Sequence, residues 1–276
     1  MRKAVILAAG LGTRMRKAEA SATSLSAEQA AIAATGVKAL MPIADGSGAQ
    51  GRPFLDYVLS ALIEAGFDEA CLIIGPDHHQ IRSYYTPLSG KNLRIEFAVQ
   101  TKPLGTADAI RAAAPVVGNA PFLMINSDNF YPPATLSKLR AIDGSGLAVF
   151  NRDAMLRDSN IEPERVQKFA AVELDVSDRL VRVLEKPTAE ILAALGDDVY
   201  LSMNCWRFES SIFEACAKIA PSPRGEYEIT DAAQYAIDTL GVPFTAVKSD
   251  EAVFDMSSRG DVGSIGAKVA KQSLRI

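Results

Sequence analysis

The sequence predicts an α/β fold of three layers, α/β/α, with a mixed, mostly parallel central sheet. Two observations carry that expectation. Short apolar runs bounded by turn signals recur along the first half, and stretches with apolar residues at helical spacing lie between them. Strands alternating with helices pair in parallel and place their crossover helices on both faces of the sheet.

The elements follow in order. "AVILAA" (Ala4 to Ala9) is the first strand, and "FLDYVLSALIEAG" (Phe54 to Gly66) the first long amphipathic helix. "ACLIIG" (Ala70 to Gly75) and "RIEFAV" (Arg94 to Val99) are strands, and "TADAIRAAA" (Thr106 to Ala114) is a helix. "FLMIN" (Phe122 to Asn126), "PATLSKLRAI" (Pro133 to Ile142) and "LAVFN" (Leu147 to Asn151) continue the alternation as strand, helix and strand. Then the rhythm changes, and "KFAAVELDVSDRLVRVLEKP" (Lys168 to Pro187) reads as two strands joined by a turn at "DVSD", an inserted hairpin. A helix over Ala189 to Leu195, a strand over Tyr200 to Phe208, helices over Ser210 to Ala220 and Thr230 to Leu240, a strand over Val242 to Lys248 and a helix near Asp261 to Gln272 complete the pattern. No internal repeat or low-complexity linker divides the chain. It is expected to form a single domain over residues 1–276, with residues 1–160 and 161–276 as its two parts.

Composition excludes several classes. Residues are 48% hydrophobic and 22% charged, with a formal net charge of −4, a balance that attracts neither a phosphate backbone nor anionic lipid. Nucleic acid and membrane are therefore not expected partners. The apolar part of "MRKAVILAAGLGTR" is too short for a secretory core, and no run approaches a membrane span. Three scattered cysteines, Cys71, Cys205 and Cys216, without CxxC spacing, fit neither a disulfide framework nor a zinc site. A cytoplasmic protein is expected.

The chemistry begins at "LAAGLGTR". A strand running into Gly10 and Gly12 lets backbone approach a ligand and turns successive amides toward phosphate oxygens. The dinucleotide fingerprint fails because Met15 stands at its third glycine position, and no GK[ST] follows for a Walker loop. Arg14 directly after the turn supplies a guanidinium for a polyphosphate, and Lys38 precedes an apolar stretch that would anchor it.

Eight short motifs in one order then resemble a known family, the sugar-1-phosphate nucleotidyltransferases: "LAAGLGTRM" (Leu7 to Met15), "KALMPI" (Lys38 to Ile43), "RPFLDYVL" (Arg52 to Leu59), "LGTADAI" (Leu104 to Ile110), "NSDN" (Asn126 to Asn129), "EKP" (Glu185 to Pro187), "RGEYEITD" (Arg224 to Asp231) and "VFDMSS" (Val253 to Ser258). The resemblance spans essentially the whole chain and implies a Rossmann-like nucleotidyltransferase fold with a sugar-binding hairpin lobe. It also implies Mg²⁺-dependent transfer of a nucleotidyl group from a nucleoside triphosphate to a sugar 1-phosphate, with pyrophosphate released. Glucose 1-phosphate with UTP or dTTP is the first expectation, and "GTADAI" keeps ATP and GTP open.

By that resemblance, Ala9, Gly10, Gly12 and Thr13 would receive the triphosphate, Arg14 would stabilise the departing pyrophosphate, and Lys38 would support charge at the α-phosphorus. Asp128, just after the strand "FLMIN", and Asp255 would be the Mg²⁺ ligands, a role that suits hard carboxylate oxygens. Gln100 would read the base, with Gly105 and Thr106 beside it. Glu185 and Lys186 would hold sugar hydroxyls and sugar phosphate, and Glu226 would stand near the sugar pocket. His78 and His79 have no third ligand at metal spacing.

Two departures from the family stand out. Where many relatives carry a glycine, a small apolar residue and a tyrosine, this strand has Asn204, Cys205 and Trp206. Asn204 would bond a sugar hydroxyl, and Trp206 either stacks on the sugar or packs in the core. Between Arg14 and Lys38 the chain also inserts "KAEASATSLSAEQAAIAATG", in which Ser26 to Gln29 forms a capping box before an alanine-rich helix. That helix is expected over the triphosphate end as a lid or a subunit contact. Rival readings are a cytidylyltransferase for a non-sugar phosphate such as phosphocholine, and a non-catalytic nucleotide-binding regulator. A homo-oligomer is left open, and a second, acyltransferase domain is not expected.

Overall fold

The computed structural model describes residues 1–17, 25–43, 51–167, 169–196 and 198–276. Among the described residues nine strands build the main sheet: β1 (Lys3–Leu7), β2 (Glu69–Ile74), β3 (Arg94–Val99), β4 (Phe122–Asn126), β5 (Ser145–Asn151), β6 (Ala171–Leu174), β7 (Leu180–Leu184), β8 (Tyr200–Phe208) and β9 (Phe244–Ser249). Across the sheet the order runs β3, β2, β1, β4, β8, β5, β9. The first four of these are parallel neighbours, β8 is antiparallel to both β4 and β5, and β9 is parallel to β5. This is the mixed, mostly parallel arrangement expected from the alternation of elements.

The apolar runs are continuous because both faces of the sheet are covered. In β1, Ala4 and Ile6 face one core and Val5 the other; in β4, Leu123 and Ile125 oppose Phe122 and Met124. The first core is closed by Phe54–Glu64, Pro133–Ala141 and Asp261–Val269, the second by Thr106–Val117, Ser211–Lys218 and Ile229–Asp238. Thus three layers form, with helices above and below.

β8 is bent. Its first residues pair with β5, and Leu201 also meets Ala171 of β6, while Trp206 to Phe208 pair with β4 on the other edge. The register slips between Ser202 and Trp206, and Asn204 inside that irregularity has φ 55, a left-handed conformation that asparagine tolerates better than most side chains. The Tyr131 hydroxyl donates to the Met203 carbonyl at 2.7 Å and anchors the bend. From this point hangs the hairpin of β6 and β7.

Boundaries depart from expectation where tertiary contacts intervene. The helix from Thr106 runs through Pro115 to Val117, because one missing N–H near the end costs little and Val117 is buried. The unforeseen helix Arg152–Asp158 starts where Asn151 Oδ1 accepts from the amides of Asp153 and Ala154, an N-cap hidden at the end of a strand. The capping box is present as expected: Ser26 and Gln29 exchange hydrogen bonds at the start of Ala27–Thr35. The rest of the expected insertion, residues 18–24, lies outside the described residues. Among the described residues no helix is long and apolar enough to cross a membrane.

Asp56 is fully buried, paired with Arg52 at 2.6 Å and accepting the hydroxyls of Tyr85 at 2.9 Å and Tyr84 at 3.0 Å. It ties the start of the helix Phe54–Glu64 to the helix His79–Tyr85. Replacing Asp56 by Ala leaves an arginine and two hydroxyls unpaired, so a loss of about 3–5 kcal/mol in urea unfolding is expected. A change within error in the denaturation midpoint would show that the network is dispensable.

Candidate active site

The carboxyl ends of the central strands open into one cavity of about 620 Å³, a volume within the range of small-molecule sites. The polypeptide reaches it in a spatial order set by the sheet. Gln100 follows β3, the glycine turn follows β1, Asp128 follows β4, and Asn204 sits in the bend of β8. Such an edge is where open α/β sheets bind ligands.

At the glycine turn the amides of Gly10, Leu11 and Gly12 make no hydrogen bond within the described chain. Gly12 is left-handed at φ 58, and a Cβ there would stand 2.1 Å from the Gly36 carbonyl oxygen. Gly36 ends the inserted helix, so the turn and the insertion touch backbone to backbone. Arg16 donates to the Thr35 carbonyl at 2.8 and 3.0 Å, and Arg259 to the Met15 carbonyl at 2.9 Å. Arg14 is exposed, lines the cavity and makes no ion pair among the described residues. Ala9, Thr13 and Thr106 line the cavity too.

Two residues beyond Gly36, Lys38 enters a short 3-10 turn and its Nζ meets Asp128 Oδ2 at 2.8 Å. Asp255 lies beside this pair through a two-residue ladder, Asn129 opposite Asp255, with the Met256 amide donating to the Asp128 carbonyl at 2.9 Å. Asp255 is buried and does not line the cavity. Its Oδ1 accepts from Asn129 at 3.0 Å, and its Oδ2 accepts from Ser257 at 2.7 Å and from Arg165. Burial, and next the charge of Asp128, push the Asp255 carboxyl up to about 6, against Ser257, Arg165 and Lys38. Of the two carboxylates expected as Mg²⁺ ligands, Asp128 opens on the cavity and Asp255 is engaged by protein donors.

Gln100 is buried at the far end, its amide donating to the Gly105 carbonyl at 2.9 Å and to Asp108 at 3.0 Å. Both amide hydrogens are thus engaged, and the oxygen remains for the cavity. Gly105 is left-handed at φ 109 because the Tyr227 backbone packs on it, with a Cβ placed 2.5 Å from the Tyr227 oxygen. Its lack of a side chain serves that contact as well as the cavity it lines.

At the opposite end, Asn204 and Glu226 line the cavity, and so do Arg224 and Glu228, which sequence reasoning left unassigned. Arg224 pairs with Glu228 at 2.7 Å. The signal for both was the alternation of charge within "RGEYEITD". Glu185 and Lys186 stand outside the cavity lining, just past the end of β7, both exposed and with Lys186 left-handed at φ 47. Desolvation, then the charge of Glu228, raises the Glu185 carboxyl, with Arg224 opposing. Of the two expectations for Trp206, sugar stacking and core packing, the structure shows core packing. Trp206 is completely buried, stacked on Phe208 at 5.6 Å and edge-on to Phe244 at 6.0 Å. Among the described residues no group of three or more His, Cys, Asp or Glu is placed to hold a metal, and His78 lies beside Gly75.

This sheet edge and its cavity define a Rossmann-like α/β protein with a ligand-sized cleft at the carboxyl ends of its strands. A family model described as "Nucleotidyl transferase" matches residues 3–265, and the chain belongs to that family. It is 32% identical over 238 residues to a glucose-1-phosphate thymidylyltransferase of Streptomyces griseus, covering 86% of this chain and 57% of that protein. It is 30% identical over 250 residues to the low-salt glycan biosynthesis nucleotidyltransferase Agl11 of Haloferax volcanii, covering 86% and 59%. The chain therefore spans less than two thirds of the length of these curated relatives. Among solved structures, UDP-glucose pyrophosphorylase complexed with UDP-glucose superposes with a TM-score of 0.72 at 18% identity, covering 99% of this chain and 100% of that one. The inositol-1-phosphate CTP transferase from T. maritima gives 0.72 at 17%, covering 99% and 97%. These two likenesses establish the shared fold.

Two outcomes are expected. Between its ordinary value of 3.8 and about 6, native Asp255 holds a proton that the unfolded chain has released, so its contribution to stability falls as pH rises through that window. Denaturant midpoints from pH 4 to 7 should show a shallower fall in Asp128→Asn, and an unchanged slope would remove Asp128 as a cause. Gly12→Ala forces the turn away from Gly36, so equilibrium dialysis should show weakened nucleoside triphosphate binding with far-UV circular dichroism retained. Wild-type affinity in that variant would mean the contact does not shape the turn.

Proposed function

We propose that the chain catalyses transfer of a nucleotidyl group from a nucleoside triphosphate to a sugar 1-phosphate, releasing pyrophosphate. The observation that carries this reading is the succession along one sheet edge of Gln100, free turn amides with Arg14, the Lys38–Asp128 pair, and Asn204 with Arg224, all lining one cavity. That succession matches a base, a triphosphate, a reacting phosphorus and a phosphorylated acceptor laid end to end. No side chain need act as a covalent nucleophile, since positioning and charge stabilisation suffice for joining two polyanions.

In this reading an acceptor phosphate oxygen attacks the α-phosphorus in line, and the bond to the pyrophosphate oxygen breaks. The turn amides and Arg14 take the charge that grows on the leaving group. Lys38, released from Asp128 as phosphate enters, stabilises the α-phosphoryl oxygens. Arg224 serves the acceptor phosphate, and Lys186 would join it from the mouth of the cavity. The Gln100 oxygen accepts an N–H from the base edge, which suits the N3–H of uracil or thymine. Similarity to the glucose-1-phosphate thymidylyltransferases supports glucose 1-phosphate with dTTP or UTP as the first pair to test.

A divalent cation fits Asp128, whose second carboxylate oxygen is unpaired beside the cavity, and Asp255 becomes a second ligand if Arg165 yields. When bound, Mg²⁺ would supply charge neutralisation between the two phosphates. The inserted helix, touching the turn through Gly36, belongs to the triphosphate end and would act there as a lid or a subunit contact. Trimming residues 19–34 should then change nucleotide affinity or oligomeric state.

Pyrophosphate release should be measured with Mg²⁺ across a matrix of nucleoside triphosphates and phosphorylated acceptors, phosphocholine included. Turnover with a sugar 1-phosphate is the expected result; turnover only with CTP and a non-sugar phosphate would replace the reading. Asp128→Asn should abolish turnover with the fold retained, and full activity in that variant would sink the metal assignment.

A further inference from the structure

Asn204 and Trp206 are neighbours on the bent strand, one lining the cavity and the other sealed in the core. A buried indole N–H needs an acceptor, and the one Trp206 Nε1 reaches is Asn204 Oδ1 at 3.4 Å. The backbone of Asn204 is held from its other side, where the Met203 carbonyl accepts the Tyr131 hydroxyl at 2.7 Å. Main chain and side chain are therefore both fixed before any substrate arrives.

A carboxamide has one accepting end and one donating end. With the Asn204 oxygen turned toward the indole, its NH₂ is the end left for the cavity, and among the described residues that NH₂ has no protein partner. The sheet order places this donor four strand steps from Gln100, beyond the glycine turn and Asp128 and on the side of Arg224. A nucleotide lying from Gln100 across the turn leaves this end to the acceptor.

We infer that Asn204, oriented by Trp206, is a specificity-determining hydrogen-bond donor that selects an acceptor carrying a hydroxyl or carbonyl oxygen at this point. The inference rests on the proposed transfer to a sugar 1-phosphate and names the feature of that substrate which the site reads. A trimethylammonium group offers no such oxygen, so phosphocholine is disfavoured by the same donor. Trp206 acts through Asn204 as a positioning residue.

The test is a set of kcat and KM values for the accepted sugar 1-phosphate and its monodeoxy analogues, measured on the full chain with Mg²⁺. In the wild type one deoxy analogue should lose about ten- to a hundredfold in kcat/KM, the size of one lost hydrogen bond to a buried polar group. In Asn204→Gly, which keeps the left-handed backbone accessible, that penalty should vanish while the KM for nucleotide stays put. Trp206→Phe removes the N–H but keeps an aromatic core residue, and should shrink the same penalty. Should that variant not fold, Asn204→Asp decides the orientation: it still accepts from the indole but presents oxygen to the cavity, so it should turn over the full sugar no better than Asn204→Gly. Equal deoxy penalties in the wild type and Asn204→Gly, an unchanged penalty in a folded Trp206→Phe, or full activity in Asn204→Asp would each overturn the inference alone. No release from any sugar 1-phosphate by the wild type would overturn the proposed function and this inference together.

Discussion

Two glycine backbones that touch set one wall of the cavity. Gly12 and Gly36 each have positive φ, and a Cβ on either would lie within 2.6 Å of the other segment's backbone oxygen. No other residue type allows that approach without a shift. Because Arg14 follows one glycine by two residues and Lys38 follows the other by two, the contact fixes both cations relative to each other. The long separation of Arg14 and Lys38 in sequence is thus compatible with a single cavity: the insertion leaves the turn, forms a helix and returns to the same point. Arg16 and Arg259 reinforce the contact by donating to the Thr35 and Met15 carbonyls.

Around that fixed point the charges balance within the protein. Lys38 is paired with Asp128 and Arg224 with Glu228, while Arg165 bridges Asp255 and Asp261. Arg14 alone of the cavity's cations makes no ion pair among the described residues. Lys38 and Arg224 are thus held by carboxylates, while Arg14 and the turn amides face the cavity without a partner among the described residues. The raised carboxyl of Asp255 comes first from its burial and then from the adjacent Asp128 charge, which makes joint ionisation of the two harder.

Much of this was legible in the sequence, because the strongest signals were local. Continuous apolar runs gave the parallel strands, helical spacing gave the covering helices, and Ser26 to Gln29 gave the inserted helix its start. The glycine turn, Gln100 and Asp128 reach the cavity because each follows a strand whose position the alternation dictates, and Lys38 reaches it two residues beyond the Gly12–Gly36 contact. What escaped depends on pairing between distant segments. That Gly105 must accommodate the Tyr227 backbone, that Asp255 is enclosed by Asn129, Ser257 and Arg165, and that Glu185 and Lys186 stay outside the cavity lining are properties of the folded chain alone. Trp206 illustrates the limit: alternation along β8 cannot say which face a side chain takes once the strand contains a bulge.

That bulge is the structural cost of putting an antiparallel strand into an otherwise parallel sheet while hanging a hairpin from it. β8 must serve β5 along one edge, and β6 and then β4 along the other, so its register has to slip in the middle. The slip demands one left-handed residue at the rim of the cavity. Glycine would meet that demand silently, contributing no chemistry. Asparagine meets it with a side chain, and in this protein the side chain is long enough to reach the indole beneath it. A constraint of sheet geometry thereby puts a polar side chain, held by the core, at the rim of the cavity, where a glycine would leave none.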